Sequence, residues 1–270
     1  MKISNGWNKI YVYSIMVDLE NVKDMLHITT LIYKYDKCKS NNKTTVDEFT
    51  NVFGTDIQFI HLLQKYPKGR IVNFTTDSQT DIQVGVTIND ISKRICVVFR
   101  GTNSLKDWFY NLQMNKHCIK DDIYVHKGFC SQLFSTQIYH RISNEIQQLL
   151  HVNPEYTLFI TGHSAGGALA TLFGYLLSYE MPDKQINIVS FASPRIGNYA
   201  FKSDFESRPN LKHHRVTNHN DIVTAIPIYK YWHVGHKIYI RSSQMRLCCC
   251  LNVCDHTTDA YYNNLSESTI

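Results

Sequence analysis

The chain has 270 residues, 43% of them hydrophobic and 19% charged, with a formal net charge of +5. That length and mix suit one globular domain with a substantial core, and they exclude a disordered chain or two large domains. Lysine and arginine are scattered rather than gathered into a basic stripe interleaved with aromatics, which argues against a nucleic-acid partner. No run reaches the roughly 18 apolar residues of a membrane span. The longest candidate, Ala168–Leu177, is interrupted by Thr171 and Gly174 and reads as a buried helix, so no transmembrane segment is expected.

Residues Met1–Met16 contain no unbroken apolar run, because Asn5, Asn8 and Lys9 interrupt it. This reads as no signal peptide and leads to the expectation of a cytoplasmic or otherwise intracellular chain. The eight cysteines (Cys38, Cys96, Cys118, Cys130, Cys248, Cys249, Cys250 and Cys254) are then expected to be mostly reduced. Two amphipathic stretches follow, Val22–Tyr35 and Val46 to about Tyr66, with apolar residues at helical spacing, before Pro67-Lys68-Gly69 breaks the pattern. From Ile71 the chain turns to short β-type runs. Asp81–Val86 alternates, and Ile95–Phe99 is continuously apolar like a buried strand. Phe129–Leu150 reads as a helix stopped by Asn153-Pro154. Tyr156–Thr161 is a short buried strand, Gly167–Tyr179 a helix, and Ile186–Phe191 a third strand ended before Pro194.

Strands alternating with helices predict an α/β fold with a mainly parallel central sheet covered by helices on both faces. The expected organisation is a single domain over 1–270. Its first 80 residues form a mostly helical lead-in, and residues 81–262 form the main α/β core. In such sheets sites form at the carboxyl ends of the strands.

Gly162-His163-Ser164-Ala165-Gly166 is a G-x-S-x-G motif between a predicted strand and a predicted helix, the setting of a nucleophile elbow. The sharp turn needs tiny residues two before and two after the serine, and Gly162 and Gly166 supply them. The helix start aims free N–H groups at the negative charge of a reacting acyl group. A serine hydroxyl needs a base, and that base needs an orienting carboxylate, in the chain order Ser, Asp or Glu, His. Downstream of Ser164 the carboxylates include Asp183, Asp204, Glu206, Asp221, Asp255 and Asp259. The histidines are His213, His214, His219, His233, His236 and His256. Order alone does not choose among them.

Several short stretches do. Val98-Phe99-Arg100-Gly101-Thr102, Val125-His126-Lys127-Gly128-Phe129, Thr161–Ala170, Phe191–Asn198, Asn220-Asp221-Ile222-Val223, His233-Val234-Gly235 and Asp255-His256 resemble, in order and spacing, the class 3 lipases, the family of the fungal triacylglycerol lipases. The resemblance implies an α/β-hydrolase fold and a triad of Ser164, Asp221 and His256, with Tyr261 shortly behind the histidine. It also implies an oxyanion hole from the Ala165 amide and from Thr102. His233 is the second choice for the base. His163 is expected to point away from the site and pack, and Asp255 is a poor rival because a residue adjacent to the histidine can rarely face its ring.

Leu105, Trp108, Phe109 and Leu112 fall on one helical face within a segment, 103–112, that resembles the family's lid. Two departures stand out. Ala165 replaces a frequent leucine, and Lys237 stands about where the family often has glutamate. Cys248-Cys249-Cys250 and Cys254, just before His256, fit no standard zinc spacing, so no metal or cofactor is implied. The expected activity is hydrolysis of a lipid ester, an acylglycerol, at a lipid–water interface through an acyl-enzyme. The alternatives are a phospholipase or esterase of other substrate class, or a non-catalytic lipase-like scaffold.

Overall fold

The computed structural model of the protein describes residues 19–38, 47–48, 69–101, 115–240 and 253–267. The apolar run at Ile95–Phe99 becomes strand β4 (Arg94–Phe99), near the middle of an eight-stranded sheet. On one side of it lie β3 (Ile82–Asn89), β2 (Gly69–Asp77) and β1 (Asp47–Glu48), each antiparallel to its neighbour. On the other side lie β7 (Thr157–His163), β8 (Ile186–Phe191), β9 (Leu211–Asn218) and β10 (His236–Ile240), all parallel. A separate hairpin pairs β5 (Lys116–Lys120) with β6 (Ile123–His126). The sheet therefore reaches into the stretch read as a helical lead-in, since β2 pairs along the whole of β3.

The helices form two layers. Helix α1 (Leu19–Cys38) covers one face together with α6 (Thr258–Glu267). Val22, Met25, Leu26, Ile32 and Tyr35 of the predicted amphipathic stretch are all buried there. The second amphipathic stretch, 46–66, lies outside the described residues except for β1. Helices α2 (Lys127–Phe134), α3 (Ile138–Val152), α4 (Ala165–Glu180) and α5 (Tyr199–Ser207) cover the other face. With both faces covered, residues of both parities in β3 are buried, and the room between sheet and α1 is small. A Cβ on Gly85 would lie 2.8 Å from the Ile32 Cδ1 methyl.

The helix predicted over Phe129–Leu150 is two helices. Gln137, at φ 59°, adopts the left-handed conformation and turns the chain between α2 and α3. A left-handed residue ends one helical path and starts another in a new direction. The hydrophobic spacing continues across the break, because both helices bury apolar residues in the same core.

Candidate active site

Ser164 joins β7 to α4 at the carboxyl end of the parallel strands. Its backbone sits at φ 59°, ψ −127°, a conformation L-residues rarely adopt. The turn is held by the Ser164 N–H donating to the Phe191 carbonyl at 2.9 Å. It also needs glycine on both sides. A Cβ on Gly162 would lie 2.6 Å from the Phe99 oxygen, and one on Gly166 would collide with that oxygen and lie 2.8 Å from the Arg100 carbonyl carbon. The strain lifts the hydroxyl away from the helix, and Ser164 makes no side-chain cap. Ala165 opens α4, and the amides at the very start of a helix, those of Ala165 and Gly166 here, have no acceptor within the helix. They remain available to a negatively charged oxygen.

His256 ends a single 3₁₀ turn (Val253–His256) and is fully buried. Its Nδ1 lies 2.8 Å and 2.9 Å from the two Asp221 oxygens. A carboxylate can only accept, so Nδ1 carries the proton and Nε2 is left as acceptor. The Ser164 hydroxyl donates to that Nε2 at 2.8 Å. Asp221 caps another short 3₁₀ turn (Ile222–Ala225) and accepts from the Val223 amide at 3.0 Å. The Tyr261 hydroxyl, from α6, donates to its other oxygen at 2.6 Å. Burial, with the Asp221 charge next, pushes the Tyr261 phenol well above its ordinary range, so it stays protonated and able to donate. Tyr261 also accepts from the Asn218 amide at 2.9 Å, and Asn218 donates to the Asp255 carbonyl at 3.0 Å. Strand β9, the histidine turn and α6 are thus tied at one residue.

His163 does more than pack. Its Nε2 is 2.5 Å from the His256 carbonyl oxygen, which can only accept, so Nε2 carries the proton. Burial, and after it the closeness of the His256 ring, hold the His163 ring well below the usual histidine range, hence neutral. Its free Nδ1 then accepts from the Tyr33 hydroxyl at 3.3 Å. Tyr33 in turn accepts from the Gly101 amide at 2.8 Å. Nothing in the local sequence pointed to Tyr33, which lies 68 residues before Gly101 and 130 before His163.

The structure thus brings Ser164, Asp221 and His256 together in one hydrogen-bonded line, with Ala165 beside them. His233 is elsewhere, with its Nε2 donating to the Thr224 carbonyl at 2.6 Å. Asp255 meets the group only through its backbone. Thr102, the lid segment 103–112 and Cys248–Cys250 lie outside the described residues, as does the Cys254 side chain. Among the described residues no cluster of three or more histidine, cysteine or acidic side chains is set to hold a metal, and no helix is long and apolar enough to cross a membrane.

The chain resembles known proteins over this same region. A lipase from Rhizopus niveus is 31% identical over 195 residues, which cover 67% of this chain and 48% of the relative. A protein of Fusarium solani named a secreted mono- and diacylglycerol lipase is 27% identical, covering 63% of this chain and 51% of the relative. This chain therefore spans about half the length of the curated relatives it matches. Among solved structures, the lipase of Rhizopus microsporus var. chinensis superposes with a TM-score of 0.71 at 26% identity, over 85% of this chain and 76% of that one. These relatives correct the expectation of a cytoplasmic or otherwise intracellular chain, since one of them is a secreted enzyme by name. That expectation rested on the lack of an apolar leader in residues 1–16, and a missing signal carries no address of its own. The pattern of the lipases of class 3 runs from residue 96 to residue 231, half of the chain, and spans the strained serine turn and Asp221. Joined to a sheet that superposes on a fungal lipase, it establishes that this chain belongs to the class 3 lipase family.

Proposed function

We propose that the protein is a serine carboxylic-ester hydrolase that cleaves lipid esters, of the acylglycerol class, through an acyl-enzyme. The observation that carries this reading is the unbroken hydrogen-bonded line from Ser164 through His256 to Asp221. The Ser164 oxygen attacks the acyl carbonyl while His256 Nε2 takes its proton. Asp221 keeps the imidazole in the reactive tautomer and stabilises the imidazolium. The tetrahedral oxygen takes hydrogen bonds from the amides of Ala165 and Thr102, each such donor being worth about 10²- to 10³-fold in rate. His256 then protonates the departing alkoxide, which leaves as the alcohol. Water, deprotonated by His256, attacks the acyl-enzyme and releases the carboxylic acid and free Ser164.

The substrate class is read from the family and from the relative of Fusarium solani that is named a mono- and diacylglycerol lipase. One domain carries the reaction, because α1 and α6 pack on the same sheet that presents the serine. The deciding experiment is hydrolysis of p-nitrophenyl butyrate and of a long-chain glyceride by the wild type beside Ser164→Ala. Turnover lost only in the variant supports the reading, and a rate on the glyceride that climbs above its solubility limit supports action at an interface. Folded wild-type protein that hydrolyses neither ester and takes no label from a fluorophosphonate probe would make the chain a non-catalytic scaffold.

A further inference from the structure

Arg215, on β9, is only 8% exposed, yet its guanidinium forms no ion pair with any described residue and its buried Nε has no hydrogen-bond partner. A buried charge without a partner is among the most unfavourable arrangements in a folded chain. Its surroundings make matters worse. The parallel register sets Lys237 of β10 directly beside it, and residues paired across neighbouring strands present their side chains on the same face. Arg195, in the loop after β8, also repels it, and burial together with that repulsion pushes the Arg215 guanidinium down to about 10. His233, just before β10, is driven down to about 3 by burial and by Arg215, then by Arg195 and Lys237. The charges acting across this group are thus those of its own cations. The other group acting on Arg215 is Tyr261, which is neutral.

The cluster is held in place rather than splayed by its own repulsion. Arg195 donates from one Nη to the Ala225 and Pro227 carbonyls, which fixes the plane of its guanidinium. The Thr224 carbonyl anchors His233. Lys237 is exposed and opens the group to solvent. None of these side chains hydrogen-bonds Ser164, Asp221 or His256, so the reaction proposed above makes no use of them. A guanidinium presents parallel N–H donors that suit the oxygens of a phosphate group. Three formal positive charges favour a dianion over a carboxylate.

We propose that Arg215, Lys237 and Arg195 form a binding site for a phosphate group. Bound phosphate supplies the counter-charge that no described residue provides. The same chemistry can come from free phosphate or from the headgroup of an anionic phospholipid. The site's effect on the enzyme is then on stability and attachment, since it lies off the serine line.

The test is thermal unfolding of the whole chain at constant ionic strength, with chloride exchanged for phosphate or acetate. The wild type is expected to gain roughly 5 °C or more once phosphate reaches about a hundred times its dissociation constant, and far less with acetate. Lys237→Glu places a carboxylate opposite Arg215. It is expected to melt higher than wild type without phosphate and to lose the response. Arg215→Met removes the buried charge and is expected to lose the response as well, which guards against misfolding of either single variant. Sedimentation with phosphatidylcholine vesicles, with and without phosphatidic acid, identifies the source. Retention on the acidic vesicles that excess free phosphate reverses assigns a headgroup, and stabilisation without retention assigns free phosphate. The proposal is overturned if phosphate stabilises the wild type no more than chloride or acetate does, or if Lys237→Glu responds to phosphate as the wild type does.

Discussion

The Tyr33 hydroxyl accepts a hydrogen bond from the Gly101 amide at 2.8 Å, one residue before Thr102. A side chain from the first helix thereby sets the entry to the loop proposed to hold the oxyanion. Through His163 the same hydroxyl reaches the His256 carbonyl, so both sides of the serine share one support. Tyr33→Phe keeps the ring but leaves the buried amide unpaired, at about 1–3 kcal/mol. The expected result is a kcat roughly tenfold lower, with KM for a short ester little changed. Steady-state kinetics beside a thermal melt decide the matter. A lowered melting temperature with wild-type kcat would leave Tyr33 a structural role only.

Asp221 accepts from three donors, namely His256, Val223 and Tyr261. In Asp221→Asn the amide can present an N–H to His256 Nδ1 and favour the wrong tautomer. A loss of about 10⁴-fold in kcat is expected with the fold intact. Tyr261→Phe removes one donor and leaves the carboxylate in place, so a much smaller loss, roughly tenfold, is expected. Equal losses in the two variants would mean that Tyr261 does more than orient the aspartate.

His163 and His213 are buried and held well below the ordinary histidine range, in each case chiefly by burial, and His233 is held at about 3. Folded protein therefore leaves them neutral where the unfolded chain protonates them. Below the unfolded value of about 6.5 the unfolded state binds more protons, so stability falls as pH falls. Each fully shifted group contributes at most about 1.4 kcal/mol per pH unit through that window. Unfolding midpoints between pH 8 and pH 5, on the order of the histidine range, should drop, and His213→Phe should flatten the slope. A midpoint independent of pH across that window would contradict the buried neutral state.

Two glycine substitutions should separate sharply. Gly166→Ala drives a methyl into the Phe99 carbonyl oxygen, which is backbone and cannot yield, and the expected outcome is insoluble or unfolded protein. Gly85→Ala meets the Ile32 Cδ1 methyl at 2.8 Å, the far end of a flexible side chain. Its cost should stay near 1 kcal/mol. Expression followed by chemical denaturation compares them, and equal tolerance would refute the tight turn at Ser164.

The parts of this molecule that could be read in advance are those where burial writes a continuous pattern. Strands β4, β7 and β8 are buried on both faces and are rich in apolar residues, unbroken over Ile95–Phe99, and the serine turn announces itself by its glycines. Asp221 and His256 needed the family resemblance, because several acids and histidines share the required order. Strand β9 escaped notice because His213, His214, Arg215, Thr217 and Asn218 leave almost no hydrophobic alternation. Most of these polar residues are buried nonetheless, His213 in contact with Ser190 at 2.9 Å. The break at Gln137 was invisible because the apolar spacing runs on through it. Tyr33 and His163 could not be found from sequence, since their meaning lies in contacts across 130 residues.

Helix α1 was read as a lead-in, and the class 3 pattern begins only at residue 96. A protein trimmed to that pattern, residues 96–231, would retain Ser164 and Asp221 but lose His256 and Tyr261 beyond its far end. At its near end it would lose the only described hydroxyl that braces Gly101, along with the cover that α1 gives one face of the sheet. The unit that would carry the proposed reaction is therefore larger than its recognisable signature at both ends, and its beginning is marked by a tyrosine rather than by a motif. Anyone shortening, fusing or permuting this chain should treat the first helix as part of the support of the proposed site and look for new termini elsewhere.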